Sequence, residues 1–88
     1  MHDSELERLR CNTLHIYLGR GEIANLVIFP RYRLDVGDVH VCDYEADFEY
    51  TRNGERVTED CKGFRTREYI LKSKLMLAIH GIEIKETN

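Results

Sequence analysis

The sequence predicts one small α+β domain in which a sheet is flanked by two helices, in the order α-β-β-β-α-β. Apolar residues recur at helical spacing near each end of the chain, between 6 and 17 and between 69 and 79. The segment between them contains runs typical of strands, separated by turn residues. Because 88 residues form a single domain with a thin core, we also expect that a second copy would help to stabilise it.

The first predicted element is a helix. Ser4 and Glu7 fit a capping box, in which the serine caps the helix and the glutamate returns to the N–H of the cap. Gly19 and Gly21 end the helix, one of them in a left-handed conformation. Its apolar and small positions follow helical spacing: Leu6, Leu9, Thr13, Ile16 and Tyr17.

Three strands are predicted to follow. The first covers 26–35, and Pro30 places it at an edge or at a bulge because proline cannot donate to a ladder. After a turn at 36–38, a long strand covers 39–52. Asn53-Gly54 is typical of a type I′ hairpin turn, and the partner strand covers 55–62.

The rest of the chain predicts a second helix and a short strand. Thr66 caps a helix that runs to His80, and Gly81 stops it. The strand covers 82–85. We expect the apolar residues of this helix to pack on the sheet: Tyr69, Leu71, Leu75, Met76 and Ile79.

The hairpin places two carboxylates opposite each other. A two-residue turn at Asn53-Gly54 makes Arg52 face Glu55, and counting back along both strands makes Asp47 face Asp60. Their Cβ atoms should then lie about 4.5–5.5 Å apart. Lys62 follows two residues after Asp60 and therefore shares its face.

The same alternation divides the hairpin into an acidic face and an apolar one. The acidic face holds Asp43, Glu45, Asp47, Glu49, Thr58, Asp60 and Lys62. The apolar face, which looks like core, holds Cys42, Tyr44, Ala46, Phe48, Val57 and Cys61. Glu59 points away from Asp60. Because opposed like charges are destabilising, the pattern favours a bound cation, and Mg²⁺ suits a pair of carboxylates. The alternative is a solvated acidic face with a Glu45–Lys62 pair.

The residues around this pair resemble a known superfamily. Ala46-Asp47-Phe48, followed by Glu59-Asp60-Cys61-Lys62-Gly63-Phe64, is similar to the PD-(D/E)xK nucleases. More narrowly, it resembles a small family of phage and prophage proteins with ADF…EDxKGF motifs, over nearly the whole chain. The resemblance implies a restriction-endonuclease-like α-β-β-β-α-β core, with a central mixed sheet flanked by helices.

The resemblance also implies a chemistry and its residues. Asp47 and Asp60 correspond to metal ligands and Lys62 to the motif lysine. Glu7 corresponds to a further glutamate that the first helix supplies, although it also fits the capping box. The implied function is a Mg²⁺-dependent endodeoxyribonuclease, with Mn²⁺ able to substitute. Analogy with resolvases of this fold extends it to branched DNA such as a Holliday junction. The rival interpretation is a non-catalytic nucleic-acid-binding or inhibitory module that retains the nuclease fold.

The charge distribution is compatible with a DNA partner. The formal net charge is −3, but 62–85 holds six Lys or Arg against two acids. The residues expected to contact phosphates are Arg31, Arg33, Arg65, Arg67, Lys72 and Lys74. The alternative is an ordinary solvated surface of mixed charge.

The remaining features predict compartment and assembly. Cys11, Cys42 and Cys61 are not spaced as metal-binding pairs, and we interpret them as reduced packing residues. No signal peptide or membrane span is visible, so we expect a cytoplasmic protein, in the host cytoplasm if it is phage-encoded. We also expect a homodimer that uses Phe29, Tyr32 and the first helix, since two helices leave part of the sheet bare.

Overall fold

The computed structural model describes residues 5–61 and 64–87 and has the α+β architecture that the sequence predicts. Four strands form one mixed sheet in the order β1-β4-β5-β6, and two others form a separate antiparallel ribbon, β2-β3. The elements are α1 (Glu5–Gly19), β1 (Ala24–Ile28), β2 (Arg31–Val36), β3 (Val39–Glu45), β4 (Phe48–Arg52), β5 (Glu55–Cys61), α2 (Arg67–Leu75) and β6 (Lys85–Thr87).

The predicted hairpin turn is confirmed. Asn53 and Gly54 both have positive φ, 53° and 79°, as a type I′ turn requires. Arg52 pairs with Glu55, and the same register continues to Phe48 opposite Glu59, where β4 begins. The sequence therefore predicts the register of β4 on β5, which stops one residue short of Asp47.

The prediction of two long strands is wrong, because each is divided into two shorter strands. The first is interrupted at Phe29 and Pro30, where Phe29 adopts a φ of 55° that is rare for an aromatic residue. The second is interrupted at Ala46 and Asp47. The interruptions face each other: Phe29 N–H donates to Asp47 O at 2.9 Å, and Ala46 N–H donates to Pro30 O at 3.0 Å. Together they bend the strands, so that β2 and β3 leave the sheet.

The bend gives the four-stranded sheet two covered faces. The β2-β3 ribbon and α2 pack around one cluster of buried residues, which comprises Tyr32, Leu34, Tyr44, Ala46, Tyr69 and Met76. Helix α1 packs around a second cluster, which comprises Cys11, Leu14, Ile23, Phe48 and Tyr50. The single apolar face predicted for the hairpin is therefore wrong: Tyr44 and Ala46 belong to the first cluster, whereas Phe48 belongs to the second.

Helix α2 begins as predicted. The Thr66 hydroxyl accepts from Tyr69 N–H at 3.1 Å, and a π-helical turn, Met76–His80, extends the helix to Gly81, which has a φ of 68°. Tyr69 and Met76 are buried, but Leu71 is exposed, contrary to prediction. The last strand begins at Lys85 rather than at 82, and it pairs with β5 in parallel, with Asp60 opposite Glu86.

Helix α1 ends as predicted, with Gly21 at a φ of 78°. The apolar positions that predicted the helix are not the ones that it buries. Cys11 and Leu14 are buried, whereas Leu9 and Ile16 are exposed. The capping serine, Ser4, lies outside the described residues. Within the described part of the chain, no helix is long and apolar enough to cross a membrane.

Candidate active site

Asp47 and Asp60 are both buried at the open end of the β4–β5 hairpin. Asp60 lies in β5 and is 3% exposed, and Asp47 immediately precedes β4 and is 9% exposed. Taking a carboxylate out of water is costly unless hydrogen bonds or a cation compensate it. The donors around these two side chains therefore bear directly on what the site can hold.

Asp47 is fixed between the bend and β5. Its Oδ2 atom accepts from Cys61 N–H at 2.7 Å, and its own N–H donates to Glu59 O at 3.2 Å. The Asp47 carbonyl accepts from the unusual residue Phe29. Three backbone groups from two segments thus hold Asp47 in place, which is the preorganisation that a ligand or catalytic group requires.

Tyr44 is a hydrogen-bond donor to Asp60. Its hydroxyl donates to Asp60 Oδ2 inside the protein. Burial first, and then the hydrogen bond and charge of Asp60, hold the pKa of Tyr44 well above its ordinary value, and the charge of Asp47 raises it further. The hydroxyl therefore stays protonated and keeps donating to Asp60 at every physiological pH.

Cys61 shows where Glu7 lies. Burial raises the pKa of the Cys61 thiol, and the negative charges of Asp47, Glu59 and Glu7 raise it further. Leu6, beside Glu7, lines a groove with Thr87, and Thr87 contacts the Cys61 thiol, so the first turn of α1 lies at the end of β5. The α1 helix covers the face that carries Cys61, whereas Asp60 faces Tyr44 on the other.

The four residues predicted for the site are thus brought together in part. Asp47 and Asp60 lie at the same end of the hairpin, and the first turn of α1, which carries Glu7, lies beside the end of β6. Lys62 lies outside the described residues, although Cys61, which precedes it, ends β5.

Glu59 is buried on the α1 face, as the alternation predicts, and it is neutralised there. Arg10 on α1 donates to it at 2.5 and 3.1 Å, and the Tyr50 hydroxyl donates to it at 2.5 Å. Burial alone would raise the pKa of Glu59, but the bonds from Arg10 and Tyr50 outweigh it and lower that pKa. Sequence reasoning missed this cluster. Its signal is a glutamate on an otherwise apolar face, since such a residue needs a cation.

Two further tyrosine–carboxylate pairs flank Asp60. Tyr32 donates to Glu49 at 2.6 Å, and Tyr69 donates to Glu86 at 2.9 Å. Burial and the bond to Glu49 raise the pKa of Tyr32 to about 12. The prediction that Tyr32 contributes to a partner surface is wrong, because it is buried in its own chain. Sequence reasoning missed this row because it depends on the bend that turns the ribbon over the sheet.

Most of the residues expected to contact DNA carry an acidic neighbour. Arg31 lies 3.8 Å from Glu45 and Arg33 3.3 Å from Asp35. Arg65 lies 2.6 Å from Glu86, and Lys72 lies 3.0 Å from Glu68. Arg67 and Lys74 are exposed on α2. Exposed ion pairs of this kind contribute only about 0–1 kcal/mol, so a phosphate can compete for these cations.

An open cavity lies beside the tyrosine row, between the ribbon and α2. It has a volume of about 320 Å³, and Tyr44, Tyr69, Arg31 and Lys72 contribute to its lining. Glu45 and Glu68 also line it, so it presents charges of both signs. Tyr44 thus lines the cavity and also donates to Asp60.

The donor set suits Mg²⁺. Magnesium takes oxygen ligands and needs only one or two carboxylates, with water and substrate phosphate completing its octahedron. Asp47 and Asp60 supply two such carboxylates at the open end of the hairpin. Residues 5–61 and 64–87 contain no cluster of three or more His, Cys, Asp or Glu arranged to hold a metal ion.

Comparison with known proteins adds no family to this description. No protein-family model matches the chain, and no curated protein matches it.

Proposed function

We propose that this chain is a Mg²⁺-dependent endodeoxyribonuclease that hydrolyses phosphodiester bonds, with Mn²⁺ able to replace Mg²⁺. One observation carries the proposal: two buried aspartates, Asp60 in β5 and Asp47 immediately before β4, lie at the open end of one hairpin. The motif resemblance and the mixed sheet with a parallel last strand support it.

Each residue has a proposed task. Asp47 and Asp60 would hold the metal, which when bound lowers the pKa of a water and neutralises charge on the scissile phosphate. Tyr44 keeps the Asp60 carboxylate oriented, and the Cys61 N–H does the same for Asp47. Lys62 is proposed to orient the attacking water or to stabilise the developing negative charge. Glu7 is proposed as a third acidic group, supplied by α1.

The substrate proposed is branched DNA, such as a four-way junction. The cations of the ribbon and of α2 would contact backbone phosphates, which gives affinity without reading sequence. The substrate geometry rests on analogy with junction resolvases, whereas the DNA contact rests on the exposed cations themselves.

A cleavage assay tests the proposal. Labelled four-way junctions, linear duplexes, single strands and matched RNAs are incubated with Mg²⁺, Mn²⁺ or EDTA. We expect cleavage only with metal, and its loss in Asp47→Asn, Asp60→Asn and Lys62→Ala. Asp38→Asn, in the exposed turn of the ribbon, is the charge-matched control and should retain activity.

The same assay separates the rival function. Metal-independent DNA binding without cleavage of any substrate would favour the non-catalytic module. Cleavage by Asp60→Asn at the wild-type rate would reject the site assignment. Single nicks spread over linear duplex would exclude the junction as the substrate. The proposed roles of the aspartates as metal ligands would not change.

A further inference from the structure

Helix α1 carries apolar side chains that stay exposed within the described part of the chain. Leu9 is 54% exposed and Ile16 is 57% exposed, and they lie two turns apart on one side of the helix. Thr13 lies between them and is partly buried. We call Leu9, Thr13 and Ile16 the α1 stripe. Cys11 and Leu14, which contact the sheet, lie on the opposite side.

A groove runs beside the α1 stripe. It has a volume of about 280 Å³ and is lined by Leu6, Leu9, Arg10, Thr13 and Thr87, the last of which belongs to the edge strand β6. The stripe therefore continues into a concave surface instead of ending at a convex helix. Exposed apolar side chains that adjoin a concave surface are suited to a protein contact.

The stripe is complementary to itself. When two copies of α1 lie antiparallel with the two-fold axis between Asn12 and Thr13, Leu9 of each copy meets Ile16 of the other. The same register places Glu5 of each copy opposite Arg20 of the other, so that opposite charges meet at both ends. A contact that pairs each residue reciprocally is the arrangement that two-fold dimers require.

The charges at the ends are available for such a contact. Glu5 and its neighbour Arg8 are both well exposed, as are Arg20 and Glu22, which lie 3.6 Å apart. Glu5–Arg8 lies within α1 and Arg20–Glu22 lies just after it. Because exposed pairs contribute only about 0–1 kcal/mol, exchanging them for pairs across an interface costs little.

We propose that the α1 stripe binds a second copy of this chain, forming an antiparallel two-fold dimer through Leu9 and Ile16 with Glu5–Arg20 pairs at its ends. This inference does not depend on nuclease activity. If that activity is present, the dimer places the two Glu7 residues roughly 16 Å apart along the helix axis, which provides two centres for opposing strands.

Sedimentation velocity on the full chain tests the dimer. The wild-type mass should rise from 10.4 kDa towards twice that value as the concentration increases. We examine the range from about 1 µM to about 500 µM, because an interface centred on one helix pair is small. Ile16→Glu should remain monomeric throughout. Val39→Glu, at an exposed site on the ribbon, should dimerise like the wild type.

Charge reversal tests the register. Glu5→Arg alone places two cations opposite each other at both ends, and Arg20→Glu alone places two anions there, so each variant should dimerise at least about tenfold more weakly. Mixing the two variants should restore dimerisation, because in the mixed dimer both ends regain opposite charges. Circular dichroism confirms that each variant is folded.

Three results would overturn the proposal. They are a wild-type mass that stays at 10.4 kDa over the whole range, dimerisation of Ile16→Glu at wild-type strength, and a mixture of charge variants no stronger than either alone. Dimerisation that persists in Ile16→Glu would assign the contact to another face.

Discussion

The buried carboxylates on the two faces of the sheet accept hydrogen bonds from different kinds of donor. On the α1 face, Glu59 is fully buried and accepts from the Arg10 guanidinium as well as from Tyr50. On the ribbon face, Asp60 is almost equally buried and accepts from the Tyr44 hydroxyl. Successive residues of one strand thus have a cationic donor on one side and a neutral hydroxyl donor on the other.

This difference separates a structural role from a chemical one. The Arg10 guanidinium neutralises the Glu59 carboxylate. The pair therefore joins α1 to the sheet and leaves no net charge to bind a ligand. The Tyr44 hydroxyl orients the Asp60 carboxylate without itself carrying a positive charge. We assign Glu59 to stability, whereas the proposed function gives Asp60 and Asp47 the role of cation ligands.

The largest expected effect on stability is that of Glu59→Gln. It leaves Arg10 without its anion, and breaking a buried pair costs about 3–5 kcal/mol, with the lower end expected because Arg10 is partly exposed. Asp60→Asn should lower the unfolding free energy by less than Glu59→Gln does, because the amide oxygen still accepts from Tyr44. Urea denaturation of both variants measures the contrast.

The comparison fails if the two variants behave alike. Equal losses would mean that both carboxylates are structural, and a larger loss for Asp60→Asn would reverse the assignment. Asp38→Asn, an exposed change of the same type, sets the scale of a neutral substitution.

Tyr44→Phe should weaken metal binding while leaving the metal ligands in place. Groups that orient a ligand typically contribute 10- to 100-fold in metal affinity, and we expect a loss of about that size for Mn²⁺. Tyr69→Phe removes a similar hydroxyl from Glu86 and is the matched control. Electron paramagnetic resonance of free Mn²⁺ measures both affinities. Equal losses of Mn²⁺ affinity in the two variants would show that Tyr44 has no particular role in metal binding.

The loss of folding stability at acid pH should come from protonation of Glu59. Because the folded-state pKa of Glu59 is lowered, its contribution to stability is fully present above the ordinary glutamate pKa of about 4.3 and is lost as the pH falls through the folded value. We expect the wild type to lose stability below about pH 4, by less than the full effect of Glu59→Gln. Denaturation curves between neutral pH and pH 3 should be flatter for Glu59→Gln. Parallel curves would show that other groups cause the acid loss.

The sequence predicts the parts of this fold that local chemistry determines. The type I′ turn at Asn53-Gly54, the Thr66 cap and the Gly81 stop each follow from one residue's backbone or hydrogen-bonding preference, and all three are confirmed. The turn also fixes the register that brings Asp47 and Asp60 to the same end of the hairpin.

What the sequence does not predict depends on contacts between distant segments. The interruption at Phe29 requires the facing interruption at Asp47, and neither is evident from strand periodicity alone. Tyr44 is part of the core, as predicted, but its bond to Asp60 is not evident from the sequence because it forms only where the ribbon bends over the sheet. Pro30 is a local signal that predicts a discontinuity but not the direction of the bend.

Thermal unfolding with Mn²⁺ tests the assignment of Asp47 and Asp60 most directly. Metal that binds only the folded state at 100 times its dissociation constant stabilises by about 2.7 kcal/mol, which raises the melting temperature of a domain of this size by roughly 10 °C or more. We expect this rise in the wild type and in Asp38→Asn, and its loss in Asp47→Asn and Asp60→Asn. An unchanged wild-type melting temperature, or an equal rise in Asp60→Asn, would contradict a metal site at this pair.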